Sequence, residues 1–264
     1  MTDDLSEILI FAEELAEVSR GVVEAELRQG FETEVKGDGS PVTRVDRAVE
    51  TALRERIAAR FPAHGVIGEE FANESAGAEE VWVLDPIDGT KQFVTGLPLY
   101  GTLIAFARAG RPLVGVMDFP ATAERWCGAA GQATTRNGQK VSVRDCPALD
   151  RAWIACGNPT RGSQAECTAT LKLARSGLNS VWGGGSYAFA QVASGRIDVA
   201  PDCGLDPFDY AALVPVLEGA GGLAVTWRGE ALTLTSGSQV LFLGDRRLLE
   251  PAVAILEGAA ISQE

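Results

Sequence analysis

The stretch Val81-Trp-Val-Leu-Asp-Pro-Ile-Asp-Gly-Thr90 constrains this chain more than any other part of it. An apolar run that reads as a buried strand ends on two aspartates, Asp85 and Asp88, separated by Pro86-Ile87. Two unit charges about 4 Å apart repel by roughly 4 kcal/mol at an effective dielectric of 20. A buried strand gains nothing from such an end unless a cation takes up the charge, so the fold must leave this strand end open to one. The turn that follows opens a short helix through Thr90-Lys-Gln-Phe93. Backbone N–H groups of Gly89 and Thr90 at that helix start form a seat for a phosphate oxygen. Carboxylates for metal on one side and helix-start amides on the other describe a site for phosphoryl chemistry.

Other residues narrow the choice of cation. His64 is the single histidine; imidazole-based zinc sites, Ser-His-Asp triads and histidine-nucleophile phosphatases all need more than this chain supplies. It follows Phe61-Pro62-Ala63 and reads as an ordinary loop residue. Oxygen ligands then point to magnesium or a similar hard cation. Cys127, Cys146, Cys156, Cys167 and Cys203 are odd in number and form no C-x-x-C, which fits reduced packing thiols in a cytoplasmic protein. A formal net charge of −13 argues against a nucleic-acid or anionic-membrane partner. The acidic, amphipathic start MTDDLSEILIFAEEL reads as neither a signal peptide nor a membrane span.

Periodicity sets the organisation. Leu5, Ile8, Leu9, Ala12, Leu15 and Ala16, then Val22 and Val23, predict one long helix over 4–28. A loop, VKGDGSP, follows, and Thr43 caps a second helix carrying Val45, Ala48, Val49, Leu53 and Ile57, with Asp46 three residues after the cap. From 65 to about 145 the pattern turns to short strands (VIG, VWVLD, TLIAFARAG, PLVGVMDF, ERWCG), with a hairpin turn at Asn137-Gly138. Beyond 150, strands WIAC, NSVWG, IDVA, GLAVTW and VLFLG alternate with helices over 163–176, 186–194, 209–220 and 245–258. The reading is a layered α/β fold: an N-terminal half, 1–148, and a C-terminal α/β half, 149–264, integrated into one unit. Pro215 is expected to kink the helix it interrupts.

Acidic residues stand at element ends: Asp46, Glu69-Glu70, Asp85 with Asp88, and Asp209. Strand ends and helix starts are where a rigid scaffold converges side chains on one site. Taken singly, each also fits a solvated charge or a helix cap, Asp209 in Pro207-Phe-Asp-Tyr210 above all.

The motifs KGDGSPVTRVD, GEE, WVLDPIDGTKQF, GGGSYAFAQVASGRID and DPFDYAALVPVLEGAGG, in that order over nearly the whole chain, resemble the inositol monophosphatase superfamily of magnesium-dependent, lithium-sensitive phosphomonoesterases. That resemblance implies an αβαβα five-layer sandwich, commonly a homodimer, acting on a small phosphate monoester. It implies two or three Mg2+ ions, with Mn2+ as a substitute. Glu69, Asp85 and the Ile87 carbonyl would hold the first ion; Asp85, Asp88 and Asp209 the second; Asp46 with Glu69 a third, weaker one. Gly89 and Thr90 would hold the phosphate, and Glu69 and Thr90 would position an attacking water, so that no protein nucleophile is required. Gly184, Gly185, Ser186 and Asp202 would face the substrate, Asp202 standing where the family usually has a glutamate. Phe208-Asp209 in LDPFDYAALVPV, together with DGTKQF, LPLYGTLIAFARAGRPLVGVMDFP and ERWCG, looks most like the histidinol-phosphate phosphatase branch, with inositol 1-phosphate as the alternative substrate. A haloacid-dehalogenase-type phosphatase would space its aspartates two apart and use one as nucleophile; here they are three apart. A catalytically idle metal or phosphate sensor would lack ligands, and every ligand position is filled.

Overall fold

A computed structural model describes residues 4–29, 33–35, 41–158 and 160–261. Most of the expected loop after the first helix, 36–40, lies outside the described residues. The long N-terminal helix, α1 (Leu5–Gln29), buries Ile8, Ala12, Leu15, Ala16 and Val23 along one stripe. Short strands β1 (Thr33–Val35) and β2 (Pro41–Thr43) pair antiparallel and lead into α2 (Arg44–Arg60). Its start is capped as the sequence predicts. The Val45 N–H donates to Thr43 Oγ1 at 3.1 Å, and the Thr43 N–H donates to Asp46 Oδ2 at 2.8 Å.

The first sheet has seven strands in the order β3-β4-β5-β6-β7-β8-β9. They are β3 (Gly65–Gly68), β4 (Glu80–Asp88), β5 (Gly101–Arg108), β6 (Arg111–Phe119), β7 (Glu124–Ala129), β8 (Thr135–Arg136) and β9 (Gln139–Lys140), with helix α3 (Thr90–Thr95) between β4 and β5. Only β3 and β4 run parallel; Asn137 and Gly138, both at positive φ, turn β8 into β9 as expected. Both faces are buried, which is why β4 reads as a continuous apolar run. Trp82, Leu84, Ile104 and Phe106 pack outward on α1 and α2, whereas Val81, Val83, Leu103 and Ala105 face inward.

The second half supplies β10 (Trp153–Cys156), α4 (Gln164–Ser176), β11 (Asn179–Trp182), α5 (Gly185–Ala193), β12 (Val199–Asp202), α6 (Pro207–Tyr210), α7 (Leu213–Gly219), β13 (Leu223–Thr226), β14 (Val240–Leu243) and α8 (Leu249–Ile261). Its five-stranded sheet has the order β11-β10-β12-β14-β13. One face (Ala155, Ala200, Phe242) meets Phe189 of α5 and Leu213 and Leu217 of α7, which in turn cover the inner face of the first sheet. The other face (Ile154, Val199, Leu241) meets Leu173 of α4 and Leu256 of α8. The layers are therefore α1/α2, sheet, α5–α7, sheet, α4/α8: the expected αβαβα sandwich.

Three local expectations change. His64 is no solvated loop residue: its side chain is 7% exposed, stacked on Phe61 at 4.6 Å, with Nδ1 accepting from Trp82 Nε1–H at 3.2 Å and Nε2 2.9 Å from Glu80 Oε2. The strand expected at 197–200 runs from Val199 to Asp202 instead. The helix expected over 209–220 is split into α6 and α7 at Ala211-Ala212. Pro215 has no N–H to give the Ala211 carbonyl four residues earlier, so the break falls one turn ahead of the proline.

Glycines let this broken helix lie against the sheet. A Cβ at Gly115 would stand 2.1 Å from the Ala212 carbonyl oxygen, and one at Gly128 would stand 2.6 Å from the Pro215 carbonyl oxygen. Backbone cannot retreat as a side-chain tip can. Gly128→Ala is expected to lower stability by about 1–3 kcal/mol through overpacking, seen as a lower midpoint in chemical denaturation; an unchanged midpoint would refute the close approach.

Candidate active site

In a regular strand, residues three apart point to opposite faces. The β4–β5 ladder is regular from Glu80↔Arg108 to Asp85↔Leu103, then slips by one residue before Asp88↔Gly101. This bulge at Pro86-Ile87 reverses the parity and brings Asp85 and Asp88 to the same inward side. Pro86 suits the bulge because it has no N–H to lose from the ladder, and its carbonyl accepts from Thr102 Oγ1 at 2.8 Å. Gly89 then turns the chain at φ +79, where an added Cβ would meet the Leu99 carbonyl oxygen at 2.9 Å. The paired aspartates of the sequence thus become neighbours only through an irregularity in the strand.

Asp209, from α6, completes a group: one carboxylate oxygen from each of Asp85, Asp88 and Asp209 lies within 4.8 Å of the others. Asp85 is 1% exposed, and its Oδ1 has no hydrogen-bond partner. Burial first, then the charges of Glu69, Asp88, Asp209 and Asp46, hold its carboxyl well above the usual range. Burial also raises Asp88, opposed by Ser186, whose hydroxyl and N–H both donate to Asp88 Oδ2, and by Arg161. Burial pushes Asp209 up to about 7, against the opposing pull of Arg161, whose Nη2 is 3.5 Å from Asp209 Oδ2, and of the Asp206 N–H at 2.7 Å. A buried oxygen without a partner inside an all-oxygen donor set is what a hard divalent cation would satisfy.

Glu69, Asp85, Ile87, Asp88, Gly89, Thr90, Gly185, Ser186, Asp202 and Asp209 line one cleft of ≈ 460 Å³. Two predicted residues stand just outside this lining. Asp46 is fully buried behind it, 3.5 Å from Thr90 Oγ1, while Thr90 Oγ1 donates to the Ile87 carbonyl at 3.0 Å. Asp46 also caps α2, its carboxylate accepting from the Thr43 hydroxyl and N–H. Gly184 caps α5 beside the cleft. Asp202 ends β12 at 6% exposure, with its Oδ1 accepting from the Cys203 N–H at 2.9 Å; burial raises it to about 6.

Sequence reasoning missed Lys91, Gln92, Gly157, Asn158, Thr160 and Arg161, which also line the cleft. A usable signal exists in the topology. Strands β11 and β12 both run parallel to β10 on opposite sides of it, with α4 and α5 on opposite faces of the sheet. Such a switch point opens a crevice at the carboxyl ends of the strands, and Gly157, Asn158, Thr160, Arg161 and Asp202 stand at those ends.

Comparison with known proteins agrees with this geometry. The model of the inositol monophosphatase family matches residues 4–259. The bifunctional phosphatase IMPL2 of Arabidopsis thaliana is 38% identical over 92% of this chain and 73% of its own. A histidinol-phosphatase of Chlorobaculum parvum is 35% identical over 87% of this chain and 88% of its own. The structure of an inositol monophosphatase from Zymomonas mobilis superposes with a TM-score of 0.88 and 34% identity, covering 97% of this chain and all of the other. The relatives that the chain matches over most of its length are phosphatases. The chain belongs to the inositol monophosphatase family. No helix among the described residues is long and apolar enough to cross a membrane.

The raised carboxylates give the metal-free protein a defined response to pH. With Asp209 near 7 when folded against 3.8 ordinarily, the native chain binds more protons than the unfolded chain between those values. Its contribution to stability is present below about pH 4 and is lost as pH rises through about 7. Melting curves taken in chelator should show a falling contribution across that window, made shallower by Asp209→Asn and offset by added magnesium most strongly at the upper end. Identical pH slopes for wild type and Asp209→Asn would contradict the assignment.

Proposed function

We propose that this phosphatase is a magnesium-dependent phosphomonoesterase converting L-histidinol phosphate to L-histidinol and phosphate by attack of water. Glu69, Asp85, the Ile87 carbonyl, Asp88, Asp209 and Asp46 are assigned to two or three Mg2+ ions, with Mn2+ able to substitute. When bound, the metal supplies a nucleophilic water near neutral pH and neutralises charge on the leaving oxygen. The residues supply position. Thr90, whose hydroxyl lies between the Ile87 carbonyl and Asp46, orients the water together with Glu69, and Gly89 and Thr90 offer N–H donors to the phosphate. Fixed donors and dipoles of this kind need no rearrangement as charge develops, and that accounts for most of the acceleration. The family resemblance extends the proposal to a homodimer.

One observation carries the choice of substrate: Asp202 is a buried carboxylate lining the cleft beside the proposed metal ligands. Histidinol phosphate brings a protonated amine, and a charge-assisted contact with it contributes roughly 1.5–3 kcal/mol. Inositol phosphate brings neutral hydroxyls beyond its phosphate and gains less from a buried acid. The histidinol-phosphatase relative at 35% identity supports the first reading; the Zymomonas mobilis inositol monophosphatase at 34% supports the second. A panel of phosphomonoesters with released phosphate measured decides between them. Histidinol phosphate is expected to be hydrolysed well ahead of inositol 1-phosphate. Asp202→Asn should lower kcat/KM for histidinol phosphate about tenfold and leave glycerol 2-phosphate almost unchanged. Equal losses on both would make Asp202 a structural residue, and a wild-type preference for inositol 1-phosphate would overturn the substrate while leaving the phosphatase intact.

The metal assignment has its own test. Asp88→Asn removes a carboxylate charge assigned to the metal ions and relieves repulsion with Asp85. Turnover should collapse while the melting temperature in chelator holds or rises; near wild-type turnover at saturating magnesium would remove Asp88 from the ligand set.

A further inference from the structure

The loop between β10 and α4 is built to hold one cation over the acidic cleft. Asn158 Oδ1 accepts from the Thr160 N–H at 3.0 Å and from its hydroxyl at 2.9 Å, and the Arg161 N–H closes the turn on the Asn158 carbonyl at 3.1 Å. The thiols of Cys167 and Cys203 each lie 3.4 Å from the Arg161 carbonyl oxygen. Beneath the side chain, Gly204 leaves room for the stem: an added Cβ would lie 3.1–3.5 Å from Arg161 Cγ, Nε and Cδ. The backbone is thus pinned while the guanidinium extends over the cluster and ends 3.5 Å from Asp209 Oδ2.

That contact differs from those made by Arg20 and Arg144 to the buried Asp118 and Asp198. Asp118 is gripped by Arg20 through Nε at 3.1 Å and Nη2 at 2.6 Å, and by Arg125 Nε at 2.7 Å. Asp198 is held by both Nε and Nη2 of Arg144 and by the Trp153 N–H. Arg20 and Arg144 each use two donors from one guanidinium, the geometry of a permanent link. Arg161 offers Asp209 one long contact from a side chain 41% exposed, the kind of pair that contributes little and opens readily. Yet its charge acts on Asp88, Asp202 and Asp209 together, in each case favouring the ionised carboxylate.

We propose that Arg161 is a displaceable counter-ion: it neutralises Asp209 while the site lacks a metal ion, gives that carboxylate up when a divalent ion enters, and so sets the ion concentration at which the site loads. The inference rests on the metal-site reading given above. A divalent ion on Asp209 and a guanidinium on the same oxygen repel each other and compete for one lone-pair face. The guanidinium beside Asp209 makes ion binding weaker than the bare cluster would give. Arg161 is accordingly a positioning residue rather than a ligand or a catalytic group.

The sign of the effect tests this. Mn2+ is titrated calorimetrically into the full chain without substrate, in wild type, Arg161→Gln, Arg161→Met and Arg161→Lys. Loss of a merely structural arginine loosens the site and weakens ion binding; loss of a competing charge tightens it. Both neutral variants are expected to bind Mn2+ about tenfold more tightly than wild type, with the gap narrowing at high salt, and Arg161→Lys should stay near wild type. Thermal melts should show the neutral variants destabilised in chelator but not with Mn2+. Unchanged or weaker Mn2+ binding in folded neutral variants, with wild type binding normally, overturns the counter-ion role alone. Absence of Mn2+ binding in wild type overturns the metal site itself, and this inference with it.

Discussion

Repulsion among carboxylates at the end of β4 is the constraint around which this molecule is arranged. Asp85 sits fully inside the protein with one oxygen unpartnered, beside Asp88 and Asp209. Without a cation the cluster is held together against its own charge: burial raises all three carboxyls, and neighbouring acids add to it at Asp85 and Asp209. Elements from both halves meet there: β4 with its bulge, α5 through Ser186, α6 through Asp209 and α2 through Asp46. The core on either side supplies the rigidity that keeps like charges together, and the chemistry requires that they be kept so.

Elsewhere the same protein neutralises a buried acid locally and for good. Glu50, fully buried in α2, pairs with Arg54 one turn later and accepts from the N–H groups of Glu70 at 2.8 Å and Phe71 at 3.3 Å. Gly68 makes room for it, since a Cβ there would fall 2.1 Å from Glu50 Oε1. A satisfied carboxylate thus fixes the turn that follows β3 and presents Glu69 to the cleft. Glu50 carries no chemistry of its own, but it sets the position of a residue assigned to it. Glu50 and Asp46, two buried acids of the same helix, thus differ: the first is satisfied by Arg54 and backbone N–H groups, the second caps the helix beside Thr90.

Much of this was legible in the chain. Helical spacing gave α1 and α2, and Thr43 with Asp46 marked the capped start of α2, because such signals are local. The apolar run from Val81 ending on Asp85 and Asp88 pointed to a cation site from electrostatics alone. What stayed hidden depends on contacts between distant segments. His64 follows Phe61-Pro62-Ala63 like any loop residue, and only its packing against Trp82 and Glu80 makes it part of the core. The split of α6 from α7 places the effect of Pro215 one turn earlier than a kink at the proline itself. Arg161 carries no periodic signature and reaches the cleft because two parallel strands end there, whereas Gln92 reaches it from α3 directly after β4. Strand β12 runs two residues beyond the IDVA run, so Asp202 ends the strand as a buried wall of the cleft.

Gly157 and Asp202 share a space that neither can enlarge alone. A Cβ on residue 157 would stand 2.3 Å from Asp202 Oδ2, so the identity of one residue limits the other across 45 positions of sequence. Neighbours in such close contact do not contribute additively to substitution effects. A side chain gained at 157 while the acid remains forces the Asp202 carboxylate to turn away, at the expense of its contact with the Cys203 N–H. A smaller residue at 202 lets a Cβ at 157 enter without that displacement, so geometry favours one order of change over the other.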